Sequence, residues 1–236
     1  MPDTLLVLWD VDHTLIETRG VGGEVFAEAF EAATGRPLSA GMAKAAGHTE
    51  PVLLRKTLHL NGITDPGPEV FERFLREQAD GYRRRQDRLR TQGRALPGVT
   101  EALQTLSRRQ HIVQSVLTGN TRAAAEIKLA AFGLDRWLDF DLGAYGDDDD
   151  NRPALVEVAH RRTAEKLGKP ISISQIVLIG DTPKDVEAAL TSGARVLGVA
   201  SGASSVEELR RAGADRVLAS LADTDIVELL SELVEK

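Results

Sequence analysis

Apolar positions recur along this chain in two rhythms. Short unbroken apolar runs occupy residues 4–9, 112–117, 175–180 and 196–200, with a shorter one at 216–219. Runs of this length without alternation predict parallel strands buried on both faces. Between them lie helical patterns at 99–109, 121–132, 153–168, 183–193 and 204–213, then a final helix, and a further strand is predicted at 138–144. Strands alternating with helices predict βαβ units and one parallel sheet, an α/β fold with a Rossmann-like three-layer core. Residues 18–92 break this rhythm. They hold helical patterns at 22–34, 50–60 and 68–91, the last with Val70, Phe71, Phe74, Leu75 and Tyr82 as its apolar stripe, and nothing there reads as strand. The first strand belongs to the same sheet as the later ones. The expected division is therefore a core of 1–17 and 93–236 interrupted by an all-helical cap domain, 18–92.

Chemistry is expected at the strand ends. The first run stops abruptly at Asp10 and Asp12. Carboxylates at the end of a buried strand cost stability unless a cation meets them. In open α/β sheets that edge is also where ligands bind. The strand at 112–117 is followed by Thr118-Gly119-Asn120, whose hydroxyl and backbone N–H groups suit a phosphate oxygen, although a plain helix cap has the same pattern. The strand at 175–180 is followed by Asp181, with Asp185 in the first turn of the next helix, where macrodipole compensation is the competing role. Two acidic strand ends on one sheet call for a cation, and oxygen ligands of this kind suit Mg²⁺.

Length and composition narrow the class. The chain has 236 residues, 42% of them hydrophobic, enough for a sizeable core. A net charge of −7 argues against nonspecific nucleic-acid or membrane-surface binding. There is no cysteine, which excludes thiol catalysis and zinc–thiolate sites. No apolar stretch reaches membrane-spanning length and no signal-peptide layout is seen, so a cytoplasmic protein is expected, as monomer or homodimer.

Taken in order, Asp10-Val11-Asp12-His13-Thr14-Leu15, Leu117-Thr118-Gly119-Asn120 and Gly180-Asp181-Thr182-Pro183-Lys184-Asp185 resemble the haloacid dehalogenase-like hydrolase superfamily, in its phosphatase branch similar to phosphoglycolate phosphatases. The resemblance implies Mg²⁺-dependent hydrolysis of a small phosphorylated metabolite. Asp10 would be the nucleophile that becomes an aspartyl-phosphate, and Asp12 the general acid and base. Thr118 would bind the phosphoryl group. Mg²⁺ would be held by the Asp10 carboxylate, the Asp12 backbone carbonyl and Asp181, with Asp185 as a further or outer-shell ligand.

The chain departs from the family pattern in two places. The lysine usual before the helix preceding the last acidic motif is absent from Asp149-Asp150-Asn151-Arg152-Pro153-Ala154, and Arg152 is the expected substitute; Lys166 and Lys169 lie at the far end of that helix. His13 stands where glycine is common, in a loop that can need permissive dihedrals. In relatives the loop between cap helices can reach the substrate, and His48 holds that place here. The acidic run 147–150 is expected to be a solvated loop rather than a second metal site. Arg83, Arg84, Arg85, Arg88 and Arg90 are expected to form the wet face of a long helix. The five histidines show no metal-ligand spacing. A phosphomutase of the β-phosphoglucomutase type is the nearest rival, and a non-catalytic binding protein on the same scaffold is the rival of a different class. A C–Cl hydrolase is disfavoured because it has no use for Asp12.

Overall fold

The computed structural model describes residues 4–45, 47–222 and 224–235. Its sheet strands are β1 (Leu5–Trp9), β4 (Ile112–Val116), β5 (Ile176–Gly180), β6 (Arg195–Val199) and β7 (Arg216–Leu218), with β2 (Ile16–Glu17) and β3 (Arg94–Ala95) forming a separate two-stranded ribbon. The sheet is parallel, in the order β4-β1-β5-β6-β7. Strand β1 is central and every one of its residues is buried, as an unbroken LLVLW run predicts. Its side chains alternate between two cores. Leu5, Val7 and Trp9 meet α5 (Val99–Ser107), α6 (Arg122–Ala131) and α10 (Ile226–Val234). Leu6 and Leu8 meet α7 (Arg152–Leu167), α8 (Pro183–Ser192) and α9 (Val206–Ala212). The result is a Rossmann-like three-layer fold. Among the described residues, no helix is long and apolar enough to cross a membrane.

The helical insertion comprises α1 (Val21–Thr34), α2 (Glu50–Leu60), α3 (Pro68–Arg84) and α4 (Gln86–Gln92). Phe26, Phe30, Leu54, Leu58 and Phe74 form its own core, with Phe26 and Phe74 edge to face at 4.9 Å. A second cluster joins it to the sheet domain: Val21, Val25, Tyr82 and Leu89 lie against Ala124, Ile127 and Ala131 of α6. The β2–β3 ribbon pairs the two chain crossings and was not expected from the sequence.

Two predicted elements are corrected. The helix expected over 68–91 is two helices, because Arg85 leaves helical dihedrals at φ −110° and its N–H bonds only to Tyr82 O at 3.1 Å. The strand expected at 138–144 is absent. Turn bonds from Leu142 N to Asp139 O and from Gly143 N to Phe140 O curl that segment, and a single bridge between Leu117 and Ala144 remains of the pairing. In α3 only Phe74 and Tyr82 of the expected stripe are fully buried; Val70, Phe71 and Leu75 pack at its margin.

Candidate active site

Strand register brings the acidic ends together. Trp9 pairs with Val116 on one side and Ile179 on the other, so the residues that follow each of these positions emerge side by side at the carboxyl edge. Asp10, Asp12, Thr118, Gly119, Asn120, Arg152 and Asp181 line one cavity of about 330 Å³, and His48 closes it from the insertion. Asp185 lies just beneath, its carboxylate in contact with Arg152.

Asp10 is 7% exposed and accepts from Arg152 Nη2 at 2.7 Å. Burial raises its carboxyl well above the usual range. Arg152 opposes that shift, while Asp185, Asp181 and Asp12 add to it. Asp181 accepts from Thr14 Oγ1 at 3.2 Å, and burial together with Asp185 raises it to about 6. Asp185 does both jobs open to it. Oδ2 closes a capping box with Thr182 N and Oγ1 at 3.0 and 2.7 Å, while Oδ1 faces Arg152 Nη2 at 2.5 Å without hydrogen-bond alignment. Oxygens of Asp10, Asp181 and Asp185 come within 4.8 Å of one another. Of the three buried carboxylates, Asp10 and Asp185 pair with one guanidinium while Asp181 meets the Thr14 hydroxyl, and Asp185 Oδ1 lacks an aligned hydrogen bond. That donor set fits a hard divalent cation such as Mg²⁺.

The Asp12 side is built differently. Lys128 Nζ, 3% exposed, lies 3.0 and 2.8 Å from the two Asp12 oxygens and 2.7 Å from Asn120 Oδ1. Asn120 Nδ2 completes the triangle, 2.7 Å from Asp12 Oδ2 and 2.8 Å from Thr118 Oγ1. Burial would raise the Asp12 carboxyl, but Lys128 and Asn120 hold it below its usual range. The ammonium also sits 4.9 Å from the Tyr82 ring centroid. Lys128 was missed in the sequence. The signal was there: it falls on the buried face of α6, between Ala124 and Ala131, where an unpaired lysine is almost never found.

Other expectations meet the structure as follows. Asn120 N–H donates to Thr118 Oγ1 at 3.2 Å, so the expected backbone donor already has a partner and the residue acts through its side chain. Gly119 has the close approach that excludes a side chain: a Cβ there would strike the His48 carbonyl, and its own carbonyl accepts from Glu50 N at 2.7 Å. The insertion is thereby seated on the Thr118 turn. His48 lies against Lys56. His13 has φ 63°, so the loop does impose the left-handed backbone that favours glycine. The 147–150 run is tied down rather than merely solvated: Asp148 forks onto Arg162 at 2.7 Å, Asp149 caps Asn151 N and Asp150 pairs with Arg55. Arg83, Arg85, Arg88 and Arg90 are met by exposed carboxylates, as a wet helix face requires. Lys166 pairs with Asp139, away from the cavity.

A family model described as haloacid dehalogenase-like hydrolase matches residues 7–190. Among solved structures, a hydrolase from Pseudomonas syringae is 28% identical at TM-score 0.69, over 98% of this chain and 99% of that one. A predicted phosphoglycolate phosphatase from Haemophilus somnus is 20% identical at TM-score 0.67, over 97% and 99%. A putative β-phosphoglucomutase from Bacteroides vulgatus is 15% identical at TM-score 0.68, over 99% and 91%. At such identities the last two are similar in fold alone. A comparison with curated proteins finds no match.

Proposed function

The chain belongs to the haloacid dehalogenase-like hydrolases, and from that premise we propose that it hydrolyses phosphate monoesters of small molecules through a phosphorylated Asp10. The observation that carries this reading is the Arg152–Asp10 contact at 2.7 Å in a cavity shared with Asp12, Thr118 and Asp181. A carboxylate that attacks a phosphate dianion faces like-charge repulsion, and a fixed cation beside it is the remedy. Arg152 takes the place of the family's lysine. Its Nε has no partner among the described residues, which leaves a buried donor for a phosphate oxygen.

In the first step Asp10 forms an O–P bond while the ester P–O bond breaks, and Asp12, having taken up a proton from solvent as the substrate binds, gives it to the leaving oxygen and is left ionised against Lys128. In the second, water attacks the phosphoryl group, its proton returns to Asp12 and the Asp10–phosphoryl bond breaks. Lys128 favours ionised Asp12, the form the second step needs, and Lys128 with Asn120 fixes its rotamer. Thr118 Oγ1, accepting from Asn120, keeps its own hydrogen for a phosphate oxygen. Asp10, the Asp12 backbone carbonyl, Asp181 and Asp185 would hold Mg²⁺. The ion would neutralise charge on the attacking carboxylate and the phosphate. Residues 1–17 and 93–236 act as the catalytic core, and residues 18–92 as a cap that excludes water and selects the leaving group. The test is turnover of p-nitrophenyl phosphate with Mg²⁺. We expect activity in the wild type and none in Asp10→Asn, and no Asp10-dependent turnover of any ester in a broad panel would sink the reading.

A further inference from the structure

The cap wall of the cavity carries polar groups that phosphoryl transfer does not use. Gln78 of α3 is 2% exposed and lines the cavity. Its Nε2 donates to Glu50 Oε1 of α2 at 2.5 Å. Its Oε1 has no hydrogen-bond partner among the described residues. Glu50 can only accept from that amide while ionised, so the amide orientation follows from the pairing. A buried amide oxygen without a donor is destabilising, and a ligand donor would remove that penalty.

The balance of charge on this wall points the same way. Glu50 adds a carboxylate to the cavity. The ammonium that lines the cavity, Lys128, is already committed to both oxygens of Asp12 and to Asn120. His48 Nε2 lies on Lys56. Phe26 and Leu53 supply the apolar remainder. The unpaired Gln78 oxygen and the Glu50 carboxylate thus stand as acceptors on this wall, beside the Thr18 and Tyr82 hydroxyls.

We propose that Gln78 and Glu50 are specificity-determining residues that select a hydrogen-bond-donating, non-anionic leaving group: the hydroxyl-bearing or amino-bearing alcohol of the phosphate ester. The same wall rejects an alcohol that carries a carboxylate, through repulsion by Glu50. A missing or mismatched partner for a buried polar group discriminates far more strongly than a change of apolar contact. This inference rests on the phosphatase reading above.

The experiment measures kcat/KM of the Mg²⁺-loaded protein for glycerol phosphate, ethanolamine phosphate and phosphoglycolate, with p-nitrophenyl phosphate establishing Asp10-dependent activity. Each donor-bearing ester should exceed phosphoglycolate by about tenfold or more. Glycerol phosphate against ethanolamine phosphate tells the neutral source from the cationic one. The readout in variants is the ratio, which a poorly folded fraction does not move. Glu50→Gln should raise phosphoglycolate relative to glycerol phosphate, a gain that misfolding cannot mimic. Gln78→Leu should lower the ratio by about tenfold. Phosphoglycolate turned over as well as or better than the other two, or ratios unchanged in both variants, would overturn the proposal while leaving the phosphatase reading intact. Loss of all turnover in the wild type would remove both.

Discussion

Asp10 and Asp12 stand two residues apart, yet the protein surrounds them in opposite ways. Around Asp10 the carboxylates of Asp181 and Asp185 outnumber the single guanidinium of Arg152, and burial pushes Asp10 and Asp181 up. Around Asp12 one buried ammonium and one amide occupy both oxygens, and the carboxyl is held down. The first environment lacks positive charge and suits a cation and a phosphate. The second is already neutral and fixes a rotamer. One backbone turn thus separates the proposed nucleophile from the proposed proton carrier.

The largest effect that would break this comparison is metal removal, because the three carboxylates that would hold the ion all lie on the Asp10 side. Dialysis against a chelator should lower turnover by about 10³-fold or more, with recovery on adding Mg²⁺. Unchanged rates would mean that Arg152 alone suffices. Next comes Arg152→Ala, expected to cost about 10²–10³ in kcat, with Arg152→Lys regaining part of it. That loss should be the same for good and poor leaving groups, because Arg152 acts on the nucleophile and the phosphate.

Lys128→Met probes the other side. Because Lys128 favours the ionised Asp12 that the water step needs, the kcat loss should be about tenfold and alike for alkyl phosphates and p-nitrophenyl phosphate, which leave the same phosphoryl group on Asp10. Urea unfolding should show a loss of about 1.5–3 kcal/mol from the broken charged hydrogen bonds. A loss that grows with the basicity of the leaving group would contradict the water-step role given to Lys128. The smallest effect concerns His13. Relieving its left-handed backbone by His13→Gly should yield a net gain of about 0.5 kcal/mol, after the extra unfolded-state freedom of glycine is subtracted. A loss on urea unfolding would show that the imidazole itself holds the loop.

The two sides also differed in how far the sequence disclosed them. The Asp10 side lies at the ends of buried strands, and strands of this kind are legible as unbroken apolar runs such as LLVLW and IVLIG. Parallel register then aligns their ends, so Asp10, Thr118 and Asp181 could be grouped before any coordinates. Arg152 was reached through the family resemblance, as the cation standing near a helix start where the usual lysine is absent, and it opens α7. Lys128 was not, because its partner lies 116 residues away and a lysine in a helix ordinarily points to water. Gln78 and Glu50 meet across two cap helices, a contact no local pattern encodes. Failed elements have equally local causes: turn bonds at Asp139–Leu142 displaced a strand, and non-helical dihedrals at Arg85 divided a helix.

The central claim, that Asp10 carries the phosphoryl group while Asp12 only moves protons, is tested most directly in Asp12→Asn. With p-nitrophenyl phosphate and Mg²⁺ the first step should proceed and the second should stall. Mass spectrometry of the quenched protein should then find a phosphoryl group on the peptide containing Asp10, in near-stoichiometric amount. An unmodified Asp10 peptide despite release of nitrophenol, or a phosphoryl group on another residue, would contradict the account.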